Sequence, residues 1–399
     1  MKKFDLDDFR QKALPTEEQI MADWKGSPDQ PVASVICTTY NQVDYIEDAI
    51  RGYLLQRTDF PFEILLHDDA STDGTAEIVA SYQKRYPRIV KAILQKKNLY
   101  SQGVPIFLMP AREARGQYLA LCDGDDFWID EEKLALQVDA LRANRECRIC
   151  FHKTRHALNR KSSLERQSLR GWLRQLAIYP HRPAIVRTNA VIIGDGAYIP
   201  TASIVVTRET LLSLPAWQAT CPVGDFFIQV LGSHPTGALF IPRSMSAYRI
   251  NAAGSWSSTT YSSPEKAAAF YSRMTAGLQA LDKHLDGQYT FEIAMLTRLL
   301  NARWALGTPP AAAAAAPRSS SWLGQLRARA SARLHGIRTF PVFLLYTLIQ
   351  HIVLARHTIG ARPARRRLPE PAVRADPLAG LQPDKHWPAD PRHPKGLLK

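Results

Sequence analysis

The chain has 399 residues, of which 45% are hydrophobic and 22% are charged, and its formal net charge is +14 at pH 7. These proportions are ordinary for a folded protein and exclude a collagen-like or wholly disordered chain. The positive charge is concentrated, because residues 318–367 contain ten arginines and no acidic residue. The remainder is close to neutral, so the basic character belongs to one segment and the main domain needs its own explanation.

Strand-like and helix-like patterns alternate through the first 130 residues. A capping box formed by Thr16 and Gln19 predicts a short helix within the N-terminal segment 1–30. Strands are then predicted at 32–41, 62–71, 90–95 and 117–126, and helices at 44–56, 74–86 and 106–115. This alternation is typical of βαβ units and predicts an α/β fold with a mainly parallel central sheet.

Polar clusters follow three of these predicted strands. The clusters are Thr38 to Asn41, Asp68 with Asp69, and Asp123 to Asp126. The carboxyl ends of parallel strands meet at one edge of a sheet, so the clusters should converge there. A single acid could cap the helix that follows it. Five carboxylates exceed that need and would repel one another unless a cation lay between them, which points to Mg²⁺ or Mn²⁺ bound together with substrate phosphates.

The same segments give the chain a resemblance to the family-2 glycosyltransferases of the GT-A fold, of the bacterial surface-polysaccharide type. The matching stretches occur in the family's order over residues 32–258: SVICTTYNQVDYIEDAI, FEILLHDDASTDGT, ARGQYLALCDGDDFW, PTASIVVTRE, VGDFFIQV and MSAYRINAAGSW. The resemblance implies an inverting transfer of a sugar from a nucleotide diphosphate sugar, with UDP favoured on family grounds. The acceptor would be a hydroxyl of a glycan or of a lipid-linked acceptor.

On the nucleotide side, the resemblance also implies roles for particular residues. The nucleotide would be bound by Thr38, Tyr40, Asn41, Asp69 and Asp123. The metal would be bound within the DxD-type stretch by Asp125 and Asp126, and the sequence leaves open which of these two touches it. A metal in this position neutralises charge that develops on the leaving group.

The acceptor side needs a base that takes the proton of the attacking hydroxyl. Asp225 matches that base, with Asp195 as the alternative, and Asp225 could equally serve as the N-cap of a helix that starts at residue 226. Arg249 and Trp256 are the candidates for contacts with the diphosphate and the sugar. Asn251 departs from the family pattern, in which a histidine is common at this position.

The sequence predicts five regions along the chain. The predicted regions are an N-terminal helical extension (1–30), the glycosyltransferase domain (31–262), a helical pair (263–310), an Ala/Arg-rich segment (311–367) and a Pro-rich disordered tail (368–399). Residues 339–355 contain no Asp, Glu, Lys or Arg and are flanked by arginines. As a helix they would span roughly 25 Å, short of the hydrocarbon core of a bilayer. An interfacial helix on an anionic membrane is favoured over a buried or a spanning one.

The expected location is the cytoplasm, at the inner face of the cell membrane. A relative that binds nucleotide sugar without turnover remains an alternative. A phosphotransferase of the haloacid-dehalogenase kind would need a DxDx[TV] motif after the first strand, where CTTYN stands instead. A nucleic-acid-binding protein would account for the arginines but not for the acidic strand ends.

Overall fold

The computed structural model describes residues 4–158, 179–250, 252, 263–307 and 362–363. Its helices are α1 (Leu6–Gln11), α2 (Glu17–Met21), α3 (Ile46–Leu54), α4 (Thr75–Arg85), α5 (Leu108–Glu113), α6 (Lys133–Ala143), α7 (Thr188–Ile193), α8 (Arg208–Leu212), α9 (Gly224–Ser233), α10 (Pro264–His284) and α11 (Thr290–Gly307). Its strands are β1 (Ala33–Thr39), β2 (Phe62–Asp68), β3 (Val90–Leu94), β4 (Tyr118–Asp123), β5 (Phe127–Trp128), β6 (Ile149–Leu158), β7 (Ala184–Val186), β8 (Val205–Thr207), β9 (Ala238–Ile250) and β10 (Arg362–Pro363). The predicted α/β fold class is confirmed.

The N-terminal half of the sheet is parallel, with the strand order β3-β2-β1-β4. Every residue of β2 is buried, as expected for a strand that helices cover on both faces. Helix α3 packs on this half through the predicted apolar face of Ile46, Ala49, Ile50, Tyr53 and Leu54, all fully buried. Because β1, β2 and β4 run in one direction, their carboxyl ends lie at one edge, as the sequence predicted.

The other half of the sheet is mixed, with the order β10-β7-β9-β6-β8 continuing from β4. Strand β8 pairs antiparallel with both β4 and β6, whereas β6 and β9 are parallel. The short strand β5 pairs antiparallel with β9, in the register Phe127 to Ala247 and Trp128 to Ser246. The chain that follows the acidic cluster of β4 is thereby attached to a strand more than a hundred residues later in the sequence.

The N-terminal segment packs against the main domain rather than extending from it. Helix α2 has the predicted capping box, with both of its hydrogen bonds present. Helix α1 buries Leu6 and Phe9 against Leu55, Phe127 and Ala247. The ring of Phe9 lies 5.6 Å from that of Phe127. The segment that the sequence separated as 1–30 therefore shares a small core with the strand that follows the acidic cluster.

The predicted helical pair corresponds to α10 and α11. These helices contribute Met274, Leu278, Leu296 and Leu300 to a core that includes Phe227 of α9. Among the described residues, no helix is long and apolar enough to cross a membrane. The basic segment and the tail lie outside the described residues, apart from β10 at positions 362–363.

Candidate active site

The acidic cluster follows β4 in a turn that is packed tightly against the end of β1. Asp123 is the last residue of β4, and its carboxylate accepts a hydrogen bond of 3.0 Å from the hydroxyl of Thr38. A Cβ atom at Gly124 would lie 2.5 Å from the side-chain oxygen of Gln42 and 2.8 Å from the hydroxyl of Thr39. A side chain between the first two acids would have to displace both Gln42 and Thr39, which favours glycine at this position.

Crowding changes the protonation of the first two acids. The pKa of Asp123 is raised to about 7. Burial is the largest cause, the charges of Asp125 and Asp225 also raise it, and the hydrogen bond from Thr38 lowers it. Burial also raises the pKa of Asp125, although the charge of Arg249 and a hydrogen bond from Gln42 lower it. Both side chains are only half-buried, so solvent or a ligand can reach them. The pair favours a cation that would compensate the two charges.

Asp126 faces the opposite way from its neighbours. It is 2% exposed, and its carboxylate accepts a hydrogen bond of 2.8 Å from the backbone N–H of Arg249. Burial and the charge of Asp125 raise its pKa well above the usual range. Of the two carboxylates that the sequence left open as metal ligands, Asp125 is the accessible one and Asp126 connects the turn to β9.

Arg249 packs against the acidic turn, residues 123–126. Its side chain is 1% exposed and forms an ion pair of 2.7 Å with Asp48. A second guanidinium nitrogen donates to the backbone oxygen of Asp125 at 2.6 Å. These contacts enclose the side chain of Arg249 and support the turn, and its predicted contact with the diphosphate stays a prediction.

The loops after β1 and β2 are joined by side-chain hydrogen bonds. Asn41 has a positive φ of 51°, a conformation that asparagine tolerates better than most residues. Its backbone N–H donates to the hydroxyl of Ser71 at 2.8 Å, and its side-chain oxygen accepts from the N–H of Thr72 at 2.8 Å. Tyr40, the residue before it, is 42% exposed. Asn41 thus shapes the rim on which the aromatic ring of Tyr40 is presented.

Asp69 is fully buried beneath the loop that follows β3. Its two carboxylate oxygens accept hydrogen bonds from the backbone N–H groups of Leu99 and Tyr100, at 2.8 and 3.0 Å. The side chain of Tyr100 is 51% exposed. The structure therefore places Asp69 where it fixes a loop that carries an exposed aromatic ring, close to the predicted nucleotide site.

Asp225 lies in the first turn of α9, near the acidic turn. The N-cap of the helix is Val223, so the alternative in which Asp225 caps the helix does not hold. Its carboxylate accepts hydrogen bonds from the hydroxyl of Thr201 at 2.7 Å and from the N–H of Phe226 at 2.8 Å. Burial raises its pKa, and the bond from Thr201 opposes that rise. Asp225 and Asp125 are the two groups whose charges raise the pKa of Asp123, so Asp225 lies within electrostatic range of the acidic turn.

The alternative base, Asp195, lies in the turn after α7 with a positive φ of 57°. Trp256 and Asn251 lie outside the described residues. Sequence reasoning missed Gln42 and Thr201, which touch Asp125 and Asp225. Gln42 directly follows the polar cluster of β1, so the strand-end rule could have included it.

The residues present fit a hard divalent cation. The accessible donors are the carboxylates of Asp123 and Asp125, and oxygen ligands of this kind are completed in such sites by phosphate oxygens. The charge of Asp125 raises the pKa of Asp123, and a cation bound by both carboxylates would relieve that repulsion. Among the described residues, no group of three or more His, Cys, Asp or Glu side chains could hold a metal ion.

Comparison with known proteins shows which family this part of the chain resembles. Residues 34–193 match the family described as glycosyl transferase family 2. By this match the chain is similar to the family-2 glycosyltransferases over 160 of its 399 residues, and its fold is of the GT-A kind. The matched range includes β1, β2 and the acidic turn, whereas Asp225 and Arg249 lie beyond it.

Two relatives extend the comparison by sequence. The uncharacterised protein Rv1520 of Mycobacterium tuberculosis is 34% identical over 227 residues, which cover 56% of this chain and 60% of the relative. TuaG of Bacillus subtilis, whose name assigns it provisionally to teichuronic acid biosynthesis as a glycosyltransferase, is 35% identical over 132 residues, or 33% of this chain and 48% of TuaG. The chain therefore spans less than two thirds of the length of either relative.

One solved structure shows how far the fold extends. Residues 1–349 of Staphylococcus aureus TarS, in complex with UDP-GlcNAc, align with 82% of this chain and 90% of that chain. The TM-score is 0.50 at 16% sequence identity, so the likeness concerns the fold alone.

Proposed function

We propose that this chain is an inverting glycosyltransferase that moves a sugar from a nucleotide diphosphate sugar to a hydroxyl of a glycan or a lipid-linked acceptor. The observation that carries the proposal is the proximity of Asp225 to Asp123, at the carboxyl end of a parallel sheet. Asp123 and Asp125 are suited to a metal ion that is bound to a diphosphate. Asp225 is a further carboxylate, with Thr201 and the N–H of Phe226 as its own hydrogen-bond donors.

The chemistry requires one displacement at the anomeric carbon. The acceptor oxygen forms the new bond to that carbon while the bond to the phosphate oxygen breaks, and the nucleotide diphosphate leaves with the electron pair. Asp225 takes the proton of the acceptor hydroxyl, and its raised pKa brings it closer to the pH at which a general base works best. Single displacement inverts the configuration.

The donor side is formed by the ends of β1, β2 and β4. Thr38 and Asp123 are in hydrogen-bond contact and would hold the ribose, and the exposed ring of Tyr40 offers a face for the base. Asp123 and Asp125 would hold Mg²⁺ or Mn²⁺, which when bound would neutralise charge on the leaving diphosphate. UDP is the first nucleotide to test, since TarS, which shares the fold, binds UDP-GlcNAc.

The test is a thermal-shift titration of the full chain with UDP and with GDP, each in Mn²⁺ and in EDTA. A ligand present at about 100 times its dissociation constant should add roughly 2.7 kcal/mol to the free energy of unfolding. We expect this shift with Mn²⁺ and its loss in Asp125→Asn. Asp59→Asn, which removes a surface carboxylate paired with Lys25, is the matched control and should behave like the wild type.

The outcomes separate the alternatives. Equal shifts in Mn²⁺ and EDTA would contradict the metal site. Metal-dependent binding without sugar transfer to any acceptor tested would identify a relative that binds nucleotide sugar but is inactive. Salt-dependent binding of DNA without any nucleotide response would favour a nucleic-acid-binding protein.

We further propose that residues 318–367 attach the protein to an anionic membrane surface at the cytoplasmic face, where a lipid-linked acceptor would be presented. The support is the charge pattern, ten arginines without an acidic residue, and each arginine near such a surface contributes about 1 kcal/mol that salt weakens. A chain that ends at Gly307 should still bind nucleotide but should no longer co-sediment with vesicles that contain phosphatidylserine. Unchanged co-sedimentation would contradict this attachment, and misfolding would show that the segment belongs to the core.

A further inference from the structure

Asp48 forms ion pairs with two arginines from distant parts of the chain. It lies in the first turn of α3 and is 3% exposed. Arg10 of α1 donates to both of its carboxylate oxygens, at 2.8 and 2.7 Å. Arg249 of β9 donates to one of them at 2.7 Å. One buried carboxylate thus joins the N-terminal helix to the strand behind the acidic turn.

Three further contacts of Arg249 reach the acidic turn or the residue that follows it. Its backbone N–H donates to Asp126, and its guanidinium donates to the backbone oxygen of Asp125. The guanidinium also lies over the ring of Phe127, 4.9 Å from the centroid, and over that of Tyr45, at 4.8 Å. The position of the turn therefore depends on where this guanidinium is held.

Three carboxylates compete for the charge of Arg249. Asp48 forms the direct ion pair, while Asp125 and Asp126 interact with Arg249 at longer range. Without Asp48, the buried guanidinium would be left without its direct partner and would be drawn toward the other two. A guanidinium bound to the carboxylate of Asp125 would occupy the oxygen atoms that a divalent cation needs.

We propose that Asp48 is a positioning residue of the acidic turn. By pairing with Arg249 it keeps the turn in place and leaves the carboxylate of Asp125 available to a divalent cation and the diphosphate. Arg10 holds Asp48 from the other side and makes α1 part of the same support. The identity of the ligand rests on the proposed glycosyltransferase function, whereas the effect of Asp48 on the turn itself does not.

The test compares Asp48→Asn with a matched variant, Glu63→Gln. Glu63 is also a buried carboxylate paired with an arginine, Arg115, at 2.7 Å. It also accepts a hydrogen bond of 2.7 Å from Ser34. Glu63 lies near the start of β2, far along the strand from Asp68 and the acidic turn. Both variants remove a buried carboxylate that is paired with an arginine, and the arginine is half-exposed for Glu63, whereas Arg249 beside Asp48 is buried. Only the pair of Asp48 with Arg249 contacts the turn.

Two measurements on the full chain distinguish positioning from general stability. The first is hydrogen exchange of the backbone amides at 123–128 without any ligand, which should become faster in Asp48→Asn and not in Glu63→Gln. The second is the Mn²⁺ concentration that gives half-maximal binding of UDP. It should rise about tenfold or more in Asp48→Asn, as for other residues that orient metal ligands, and change by less than about twofold in Glu63→Gln, which is distant from the site.

Arg10→Ala should give a smaller change of the same kind, because Arg249 stays paired. If Asp48→Asn does not fold, Arg249→Lys replaces it: lysine keeps the charge beside Asp48 but cannot also reach the backbone oxygen of Asp125, so the same two changes are expected. Equal effects of Asp48→Asn and Glu63→Gln, or unchanged exchange at 123–128, would overturn the proposal. If the wild type binds neither UDP nor GDP with Mn²⁺, the proposed function fails, while the exchange comparison still decides the role of Asp48.

Discussion

The acidic turn after β4 and the start of α9 both present carboxylates to the same site, but they hold them differently. In the turn, burial raises the pKa of both Asp123 and Asp125, and the charge of Asp125 also raises the pKa of Asp123. At α9, Asp225 stands alone and accepts hydrogen bonds from a hydroxyl and from a backbone N–H. In the turn two neighbouring carboxylates lie close to each other, whereas Asp225 has two hydrogen-bond donors of its own.

This difference suggests that the acidic turn and Asp225 respond to different solution conditions. The acidic turn should depend on a cation, because a cation supplies the compensation that the turn lacks. Asp225 should depend on pH and on its own hydrogen-bond donors, because these decide how easily it takes a proton. Substitution of Asp225 should therefore affect catalysis much more than metal-dependent binding, and substitution within the acidic turn should affect metal-dependent binding first.

The largest expected effect comes from Asp225→Asn. Loss of the base should lower kcat by about 10²–10⁴-fold, the usual contribution of general-base catalysis. Binding of UDP with Mn²⁺ should persist and become slightly tighter below pH 7, because the charge of Asp225 no longer raises the pKa of Asp123. Steady-state kinetics and calorimetry would measure the two quantities separately.

The matched control for Asp225→Asn is Glu209→Gln. Glu209 is also an acid in the first turn of a short helix, α8, and it is exposed. It should leave both kcat and nucleotide binding unchanged. Loss of nucleotide binding in Asp225→Asn would show that this residue belongs to the donor side and that the base has been misassigned.

The next effect concerns the acidic turn and pH. With a pKa of about 7, Asp123 is mostly protonated at pH 6 and mostly charged at pH 8. A cation must displace that proton, so the affinity for Mn²⁺ in the presence of UDP should fall about tenfold from pH 8 to pH 6. Calorimetry at the two pH values checks this, and equal affinities would contradict it.

The same raised pKa has a consequence for stability. Between pH 4 and pH 7 the folded protein binds the proton of Asp123 more tightly than the unfolded chain does, so without metal its contribution to the free energy of unfolding falls as the pH rises. Saturating Mn²⁺ with UDP should remove this loss. Denaturant unfolding over that pH range, with and without the ligands, would measure it.

The smallest effect is expected for Thr201→Val, which removes the hydroxyl donor to Asp225. Without that donor the pKa of Asp225 rises further, because the hydrogen bond stabilises the charged form. The acid limb of the pH profile of kcat/KM should move to higher pH, with a loss of about threefold at pH 6 and almost none at pH 9. The rate at high pH reports whether the site is otherwise intact.

Ser203→Ala is the control within the same short turn. The hydroxyl of Ser203 is buried and donates to the backbone oxygen of Pro200 at 2.6 Å, without contacting Asp225. Its removal should leave the pH profile in place. If both variants shifted the acid limb of the pH profile equally, the conformation of the turn, and not the hydrogen bond to Asp225, would determine the position of that limb.

Local patterns were sufficient to predict the parallel half of the sheet. The apolar runs, the helix spacing of α3 and the capping box of α2 are read from neighbouring residues, and all three occur in the structure. The antiparallel strand β8 and the attachment of β5 to β9 were not foreseen, because these strands are only three and two residues long. Periodicity over so few residues carries little information.

For the site, the strand-end rule brought Thr38 and Asp123 together correctly, but it does not say which way a side chain faces. Asp126 and Arg249 bear charge next to the site and yet are buried behind it. The partner of Arg249 is Asp48, 201 residues earlier in the chain. Asp48 in the first turn of a helix looks like an ordinary helix-dipole contact, so no local pattern could reveal the pairing.

The packing of α1 on Phe127 and Ala247 has a bearing on the order in which the molecule is completed during synthesis. Phe9 leaves the ribosome well before Phe127 and Ala247, and Asp126, the end of the acidic turn, precedes Arg249 by 123 positions. At elongation rates of about 5–20 residues per second, that second separation corresponds to roughly 6–25 s. During this interval the parallel half of the sheet can form while the acidic turn still lacks its arginine, so the site is among the last parts of the domain to mature on the nascent chain.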